Sequence, residues 1–343
     1  MPGAILVAGG AGYIGSHVCK ALANANYLPV VYDNMSNGHM EAVRWGPIEV
    51  GDLDDAARLD ECFRIYRPEA VIHLGGFIAA GESVVDPAKY YGNNLRGILT
   101  LLDVMRAHGA DRMVFSSSAA VYGTPDQIPI TESAPISPVN PYGQTKAMSE
   151  QILRDYAVAY GTRSVSLRYF NAAGGDPDGE IGENHEPETH LIPLILEVPA
   201  GLRVCVDIYG DQYPTRDGTC VRDYIHVTDL AAAHVLALHR LEAPATALAY
   251  NLGNGRGFSV LEVIEAAKRV TGRNIPVRHC PPRAGDPPIL LADATLAKEE
   301  LGWQPMFGDL ETQLEHAWRW MQRRAAAIED ARPAALDLGV ASN

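Results

Sequence analysis

The first half of the chain alternates short apolar runs with longer segments in which apolar residues recur every four positions. Residues 4–8 form an uninterrupted apolar run that ends at two glycines, which is typical of a strand buried on both faces of a parallel sheet. The spacing of Ile14, Val18 and Leu22 predicts a helix, and residues 28–32 return to strand character despite a proline. Together these segments predict a βαβ unit.

The same alternation continues through the following 140 or so residues. Strands are predicted near residue 48 and at 70–74, 112–116 and 164–169, and helices at 56–66, 95–108 and 142–160. Alternating strands and helices are typical of an α/β fold with a doubly wound parallel sheet, the Rossmann arrangement. We therefore expect residues 1–171 to form a domain of this class.

The pattern loosens after the last of these strands. Residues 174–188 are rich in glycine, proline and acidic side chains, which predicts the crossing into a second lobe. We expect a smaller α/β lobe over residues 172–324, interlaced with the first domain because the strand-like segments 221–227 and 249–252 are expected to return to it. Residues 325–343 lack an apolar period and are expected to form a disordered tail.

Composition narrows the possible classes of function. The net charge of −14 leaves no basic surface for nucleic acid or an anionic membrane, so neither is expected as a partner. The five cysteines are scattered without a C-x-x-C spacing, which indicates neither disulfides nor a bound metal and favours a reducing, cytoplasmic location. No apolar stretch approaches the roughly 20 residues that span a bilayer, and no signal peptide is predicted.

A glycine-rich turn follows the first predicted strand and opens the first predicted helix. Its sequence, Gly-Gly-Ala-Gly-Tyr-Ile-Gly at residues 9–15, permits a tight turn and a close approach of the backbone to a pyrophosphate at the helix N-terminus. Asp33 ends the second strand, where a carboxylate accepts hydrogen bonds from ribose hydroxyls and repels a 2′-phosphate. The pattern predicts a dinucleotide site that prefers NAD to NADP.

Three further segments, 51–53, 74–77 and 116–118, lie where strands of the same sheet are predicted to end. Ligands of open α/β sheets bind at these carboxyl ends. Asp52 is expected to accept a hydrogen bond from the adenine amino group, and the two glycines of the second segment allow the chain to pass close to the cofactor. These segments extend the predicted dinucleotide site.

Tyr142 and Lys146 lie one turn apart on the helix that is predicted to begin near Pro141. An unperturbed tyrosine has a pKa near ~10, but a nearby ammonium and an oxidised nicotinamide favour its phenolate. Tyr142 is then able to remove a hydroxyl proton, with Ser118 hydrogen-bonded at the same oxygen. The spacing Y-x-x-x-K is weak alone, because such pairs occur by chance, but behind a dinucleotide motif it predicts a catalytic site.

The glycine-rich turn, Ser118, Tyr142 and Lys146 together resemble the extended short-chain dehydrogenase/reductase family. Four further motifs, at residues 81–84, 90–94, 168–171 and 217–227, are similar to its UDP-sugar 4-epimerase branch, and the resemblance covers residues 4–321. It implies interconversion of UDP-glucose and UDP-galactose through a 4-keto sugar, with NAD retained and Tyr142 as the base. The resemblance implies that Ser118 relays the proton and that Lys146 hydrogen-bonds to the nicotinamide ribose.

The motifs and the resemblance together assign the contacts. Cofactor contacts are expected at Gly9, Gly12, Tyr13, Ile14, Gly15, Asp33, Asn34, Ser36, Asn37, Gly38, Asp52, Leu53, Leu74, Gly75, Gly76, Asn93, Ser116, Tyr142, Lys146, Tyr169 and Phe170. Substrate contacts are expected at Ser118, Tyr142, Asn171, His190, Leu191, Asp207, Tyr209, Arg222, Tyr224, Arg283, Asp286 and Leu290. The two arginine forks suit a diphosphate, and the ring of Tyr209 offers a packing surface to uracil.

Three positions depart from the common pattern of the family. Ile78 stands where many members have lysine, Ala120 where threonine is common, and His190 where asparagine is frequent. These departures affect the expected binding strength and sugar preference more than the core of Ser118, Tyr142 and Lys146. The family also commonly forms a homodimer through two helices per subunit, expected here at residues 87–108 and 142–160.

Other functions stay open at this point. The substrate of a 4-epimerase with these motifs is alternatively a UDP-pentose or a UDP-N-acetylhexosamine. A nucleotide-sugar 4,6-dehydratase would need an acid and base pair where Ala119 and Ala120 stand. A non-catalytic nucleotide sensor would be expected to lack one of Ser118, Tyr142 or Lys146, and all three are present.

Overall fold

The computed structural model describes residues 3–243, 247–283 and 286–330. Within these ranges the strands are β1 (Ala4–Ala8), β2 (Leu28–Asp33), β3 (Ile48–Val50), β4 (Ala70–His73), β5 (Arg112–Ser118), β6 (Arg163–Tyr169), β7 (Asn171–Ala173), β8 (Val206–Tyr209), β9 (Val221–His226), β10 (Ala247–Leu252), β11 (Gly257–Ser259), β12 (Val277–Cys280) and β13 (Ile289–Leu290). The helices are α1 (Tyr13–Asn24), α2 (Ala56–Tyr66), α3 (Ala80–Val85), α4 (Pro87–Tyr90), α5 (Arg96–Ala107), α6 (Pro141–Tyr160), α7 (Leu191–Glu197), α8 (Val227–Arg240), α9 (Val260–Thr271), α10 (Thr295–Glu300) and α11 (Leu310–Asp330).

The predicted doubly wound sheet is confirmed. Seven strands lie in the order β10-β6-β5-β4-β1-β2-β3, and every neighbouring pair is parallel. Alternate side chains of β1 enter opposite cores, with Ile5 and Val7 packed on the side of α1 and α8, and Leu6 on the side of α2, α5 and α6. Because both faces are covered, the strand is apolar at every position, as its sequence predicted.

The carboxyl ends of these parallel strands meet at one edge of the sheet. The glycine-rich turn after β1 therefore lies between the loop that follows β4 and the loop that follows β2. Ser118 ends β5 and pairs in register with Tyr169 at the end of β6. The fold thus gathers segments that are up to about 160 residues apart in sequence.

One of the two strands that were expected to return to the first sheet does so. Strand β10 becomes its edge, in parallel register with β6. The expectation for β9 was wrong, because this strand pairs with β7, β11 and β13 in a separate sheet. The chain crosses back one element later, through α8, which begins directly after β9 and packs against α1.

The second lobe has its own core between this sheet and helices α7, α9 and α11. Strands β8 and β12 form a small parallel pair beside it. Helix α11 runs to Asp330. The expected start of the tail at residue 325 was therefore too early. Leu314 is fully buried in the second core, which anchors the helix. Residues 331–343 of the expected tail lie outside the described residues.

Candidate active site

The glycine-rich turn is shaped by close backbone contacts. Gly9 has φ of +81°, a conformation that side chains rarely adopt, and a Cβ there would lie 2.7 Å from the amide nitrogen of Gly75. Gly12 is the N-cap of α1 and has no side chain to cap it. The N–H groups of Tyr13, Ile14 and Gly15 begin the helix, where amides lack intrahelical partners and favour an anion. The turn therefore fits a pyrophosphate.

Asp33 closes the other side of this turn. Its two carboxylate oxygens accept hydrogen bonds from the amides of Ala11 at 3.0 Å and Met35 at 2.9 Å. Each oxygen keeps a second lone pair for a ribose hydroxyl, which the assignment of NAD requires. A Cβ at Gly38 would lie 2.9 Å from Asp33 Oδ1, so the glycine lets the following loop fold back over the carboxylate. These contacts fit the adenosine half of NAD.

The rest of the loop after β2 is tied to the loop after β3. The side-chain NH₂ group of Asn34 donates to Asp52 Oδ2 at 3.0 Å, and its side-chain oxygen accepts from the backbone N–H of Ser36. Asn37 precedes Gly38 in the same segment. Leu53 lies beneath Gly75, where a Cβ would approach its Cδ1 to 2.9 Å. The predicted adenine-side residues are thus brought together at one edge.

The loop after β4 joins the glycine-rich turn to the catalytic helix. Leu74 and Gly75 lie against Gly9, and Gly76 has φ of +151°. The Asn94 side chain accepts from the Phe77 amide at 2.9 Å and donates to Thr145 at 3.1 Å. Asn93, the predicted cofactor contact, donates to the same Asn94 oxygen. Asn94, which ends the motif at residues 90–94, was not predicted to belong to the site, and the structure shows that it is buried, at 7% exposure.

A second glycine allows the catalytic helix to approach Ser118. A Cβ at Gly143 would lie 2.5 Å from the carbonyl oxygen of Ala120, so only glycine lets the start of α6 pack against the turn after β5. Asn140 caps the helix by accepting from the Gly143 amide at 2.8 Å. Burial raises the pKa of Tyr142, and a hydrogen bond with Ser118 acts in the opposite direction. The structure therefore brings Ser118 and Tyr142 together, and their catalytic roles stay predictions.

Lys146 is buried one turn further along α6. Its ammonium donates to the carbonyl oxygen of Ser116 at 2.7 Å and lies 5.9 Å from the centroid of the Tyr142 ring. Burial lowers the pKa of Lys146 to about 8, with Glu150 acting in the opposite direction, so the group is charged at pH 7. The ammonium thus lies beside the Tyr142 ring while it is held by the sheet, and its predicted roles, favouring the phenolate and bonding the nicotinamide ribose, stay predictions.

A buried ion pair links helix α6, which carries Tyr142 and Lys146, to strands β5 and β6. Glu150, one turn after Lys146, accepts two hydrogen bonds from Arg168 on β6, at 2.9 and 2.6 Å. The same carboxylate accepts from Ser117 at 2.6 Å, beside Ser118. Neither Glu150 nor Arg168 was predicted to belong to the site. The signal was a charged residue at a helix position facing the sheet and another inside an apolar strand.

Tyr169 ends β6, and Phe170 is the next residue. Tyr169 is buried with its ring 5.8 Å from that of His234, and burial raises the pKa of its phenol. Phe170 packs with Leu290 against the apolar cluster that includes Ala119 and Val121. Ser116 contributes its carbonyl oxygen to Lys146. These residues therefore line the catalytic end of the sheet.

The predicted UDP-sugar residues come from the second lobe. Leu290 on β13 pairs in register with Arg222 on β9, which forms an ion pair with Asp286. Arg283 stacks on the ring of Tyr209 at 4.1 Å, and Asp207 binds Arg278 through two hydrogen bonds of 2.7 and 2.9 Å. Residues 284 and 285, between Arg283 and Asp286, lie outside the described residues. Both arginine forks of the prediction lie among acidic or aromatic partners of the protein itself.

Tyr224 does not share this setting. It is only 4% exposed and packs in the core of the second lobe, and its role as a substrate contact stays a prediction. Asn171 starts β7 beside it, and Leu191 begins α7 against the same core. These two remain predictions as substrate contacts.

His190 lies at the end of the connection between the lobes. Its Nδ1 is 2.8 Å from Glu183 and 3.1 Å from Glu188, in a group that also contains His185. Burial lowers the pKa of His190, but the hydrogen bonds with both carboxylates outweigh it and raise the pKa to about 10. The predicted substrate contact thus has protein partners at this nitrogen.

The family profile described as the NAD dependent epimerase/dehydratase family matches residues 5–253. The chain belongs to this family. Within the described part of the chain, none of the helices is both long enough and apolar enough to cross a membrane.

Similar proteins narrow the class. A UDP-glucose 4-epimerase of Rhizobium meliloti is 51% identical over 320 residues, covering 93% of this chain and 97% of that protein. The crystal structure of a UDP-glucose 4-epimerase from Brucella ovis in complex with NAD is 53% identical, covers 92% of this chain and 97% of that chain, and has a TM-score of 0.90. A Bifidobacterium longum UDP-glucose 4-epimerase in complex with NAD⁺ and UDP is 40% identical, covers 94% and 99% of the two chains, and also has a TM-score of 0.90. Within the family, these relatives place the chain in the UDP-glucose 4-epimerase group.

Proposed function

We propose that the protein is an NAD-dependent UDP-glucose 4-epimerase in which Tyr142 is the proton acceptor. The observation that carries this proposal is the convergence of Ser118, Tyr142 and Lys146 at the sheet edge that also holds the glycine-rich turn. Strands β9 and β13 hold Arg222 and Leu290 in the second lobe as candidate contacts for the diphosphate and the hexose.

The chain's residues divide the chemistry between them. Bound NAD supplies the oxidation and re-reduction of the sugar at C4. Tyr142 takes the proton of the C4 hydroxyl and later returns it, and Ser118 relays the proton when the oxygen has moved within the site. Lys146, held by the Ser116 carbonyl, supplies positive charge beside the ring and a donor to the ribose. The single base serves both directions because the same oxygen is deprotonated and reprotonated.

The second lobe anchors the part of the substrate that does not react. Arg222 offers a fork of donors to the diphosphate, and Tyr209, stacked under Arg283, offers a face to uracil. Anchoring the nucleotide leaves the hexose free to turn between its two faces. For this to occur, the ligand has to replace the ion pair between Arg222 and Asp286.

The natural sugar is proposed to be an unmodified hexose. Leu290 packs on the apolar cluster beside Ala119, where the hexose is expected. A dehydratase is disfavoured because Ala119 and Ala120 leave no acid and base after Ser118. UDP-pentoses and UDP-N-acetylhexosamines remain the alternative substrates and are compared directly in the test.

The test is incubation of the purified protein with UDP-galactose, UDP-GalNAc and UDP-arabinose, without added cofactor, followed by separation of the 4-epimers. We expect UDP-glucose to form fastest, and one NAD per chain to be released on denaturation. An absolute requirement for added NADP, with no NAD released, would overturn the cofactor assignment. Fastest turnover of another substrate would overturn the sugar assignment but leave the epimerase class intact.

We also propose a cytoplasmic homodimer. Helices α5 and α6 carry exposed apolar side chains, including Leu99 and Met148, each 39% exposed, and Val158. Pairing these helices with a second copy would cover them in a four-helix arrangement. Light scattering of the purified protein tests this proposal, since Leu99→Glu is expected to shift a dimer toward monomer, and a parent protein that is monomeric contradicts it.

A further inference from the structure

Two glutamates and two histidines of the connection between the lobes lie together beside the glycine-rich turn. These residues, termed the His/Glu cluster, are Glu183, His185, Glu188 and His190. One ligand atom from each lies within 4.8 Å of the others. We propose that the His/Glu cluster is a binding site for one divalent transition metal ion of the zinc type.

The spacing of the donor atoms suits a four-coordinate ion. Zinc bonds of roughly 2.0–2.1 Å to nitrogen and oxygen place neighbouring ligands of a tetrahedral site about 3.3–3.4 Å apart. The nitrogen–oxygen separations in the cluster are 2.8 and 3.2 Å to Glu183 and 3.1 and 3.7 Å to the two oxygens of Glu188, values that bracket this distance. Each imidazole nitrogen therefore lies next to an oxygen of both glutamates.

An ion pair alone describes this arrangement less well. His185 Nδ1 lies 3.2 Å from a Glu183 oxygen, yet it is buried and makes no hydrogen bond of acceptable direction to any described residue. In addition, the ring centroids of His185 and His190 lie only 5.1 Å apart, so both imidazoles are within reach of one bound ion. One divalent ion would take both imidazole nitrogens and both carboxylates as ligands.

The carboxylates are positioned by contacts outside the cluster. Glu188 Oε1 accepts from the amides of Thr189 and His190 at 2.7 and 2.8 Å, which fixes its orientation. The Glu183 carbonyl accepts from the Trp320 indole at 3.0 Å, and the neighbouring Asn184 carbonyl bonds to His39 at 2.9 Å. The loop is therefore held in shape by the first domain and by α11.

Solvent reaches the cluster from one side. The Glu183 and Glu188 side chains are 7% and 8% exposed, whereas His190 is 40% exposed and provides an entry path. His185 lies with its ring edge-on to Tyr13 of the glycine-rich turn, at 6.4 Å. A bound ion would thus fix the connection between the lobes against the dinucleotide turn. The expectation of no metal considered only cysteine spacing, and the donors here are imidazoles and carboxylates.

The direct test is calorimetric titration of the chelator-treated, full-length protein with ZnCl₂. We expect one Zn²⁺ per chain and at least tenfold weaker binding in His185→Gln and Glu183→Gln, with a large excess of Mg²⁺ failing to displace the ion. His279→Gln is the matched control, because His279 is an exposed histidine 3.2 Å from Asp211 and outside the cluster. Its affinity should equal that of the parent.

A second measurement keeps the proposal testable if a variant fails to fold. Co²⁺ added to the parent protein is expected to give the intense visible absorption of a four-coordinate site, and Zn²⁺ should abolish it. Zn²⁺ should also raise the melting temperature of the parent and the control but not of His185→Gln. Stoichiometric binding that is equal in the parent and in folded His185→Gln, or the absence of Co²⁺ absorption in the parent, would overturn the site.

Discussion

The two halves of the active site differ in how they are built. The cofactor and catalytic half stands on the ends of the seven-stranded parallel sheet, where Lys146 hydrogen-bonds to the sheet and Asn94 joins neighbouring loops. The UDP-sugar half stands on strand β9 of the smaller sheet, on the two- to four-residue strands β8, β12 and β13, and on their loops. There the charged side chains bind one another, as Arg222 does with Asp286.

This difference indicates that the two halves need different amounts of rearrangement before they bind a ligand. In the first half the side chains are held in place by hydrogen bonds to the sheet and to neighbouring loops, so we expect little reorganisation on binding. In the second half, the proposed diphosphate contact Arg222 is engaged in an ion pair that a bound diphosphate would have to replace, which we propose makes that half adjustable. We therefore expect substitutions in the catalytic half to reduce turnover and substitutions in the sugar half to change affinity and selectivity.

The largest effect is expected from Tyr142→Phe. The variant removes the proton acceptor and leaves the ring in place, so turnover should fall roughly 10²- to 10⁴-fold while UDP affinity stays within about twofold. Initial rates of UDP-galactose conversion and titration with UDP measure the two quantities. Tyr160→Phe, at the exposed end of the same helix, is the control and should be unchanged. Near-normal turnover of Tyr142→Phe would show that another group is the base.

Lys146→Met should follow, with turnover lowered about a hundredfold. The methionine fills a similar volume but removes the charge and the bond to the Ser116 carbonyl. NAD content and turnover are measured together, because loss of the ribose donor is expected to weaken cofactor retention as well. Lys298→Met, an exposed lysine on α10, is the matched control. Full activity with full NAD content would contradict the assigned role.

Arg222→Gln tests the adjustable half. Loss of a charge-assisted fork to the diphosphate should lower kcat/KM roughly 10- to 150-fold, mainly through a higher KM, since such bonds contribute about 1.5–3 kcal/mol. Arg216→Gln, a half-exposed arginine in the preceding loop that pairs with Glu262, should leave both constants unchanged. If Arg222→Gln lowered kcat with KM unaltered, the proposed division between the two halves would fail.

The smallest effect concerns the choice of sugar. Leu290→Ala should raise the ratio of kcat/KM for UDP-GalNAc to that for UDP-galactose roughly ten- to a hundredfold, because one side chain that excludes a group alters discrimination by ~1–3 kcal/mol. Leu290→Tyr should lower the ratio. Ile289→Ala, the adjacent residue of β13, serves as the control. An unchanged ratio in both Leu290 variants, with NAD content preserved, would show that Leu290 does not limit sugar size.

Much of the first half was predictable from local sequence. A buried parallel strand needs an apolar run, a pyrophosphate turn needs glycines, and a tyrosine and lysine four residues apart share a helix face. These signals are short in range, which is why the limits of α2 and α6 were predicted within one residue. The dinucleotide turn and the catalytic pair required no knowledge of distant contacts.

Tertiary structure decided which distant segments meet. Strand β9 precedes a helix, as a strand of the main sheet does, and only its pairing in the second sheet and the packing of α8 on α1 show that the chain crosses after it. The ion pair of Glu150 and Arg168 was decided in the same way, because a charged residue inside an apolar strand indicates burial but not which residue it binds. The His/Glu cluster likewise depends on the folding of a loop without helix or strand periodicity. Local pattern specifies elements, whereas partners of buried charges follow from how those elements pack.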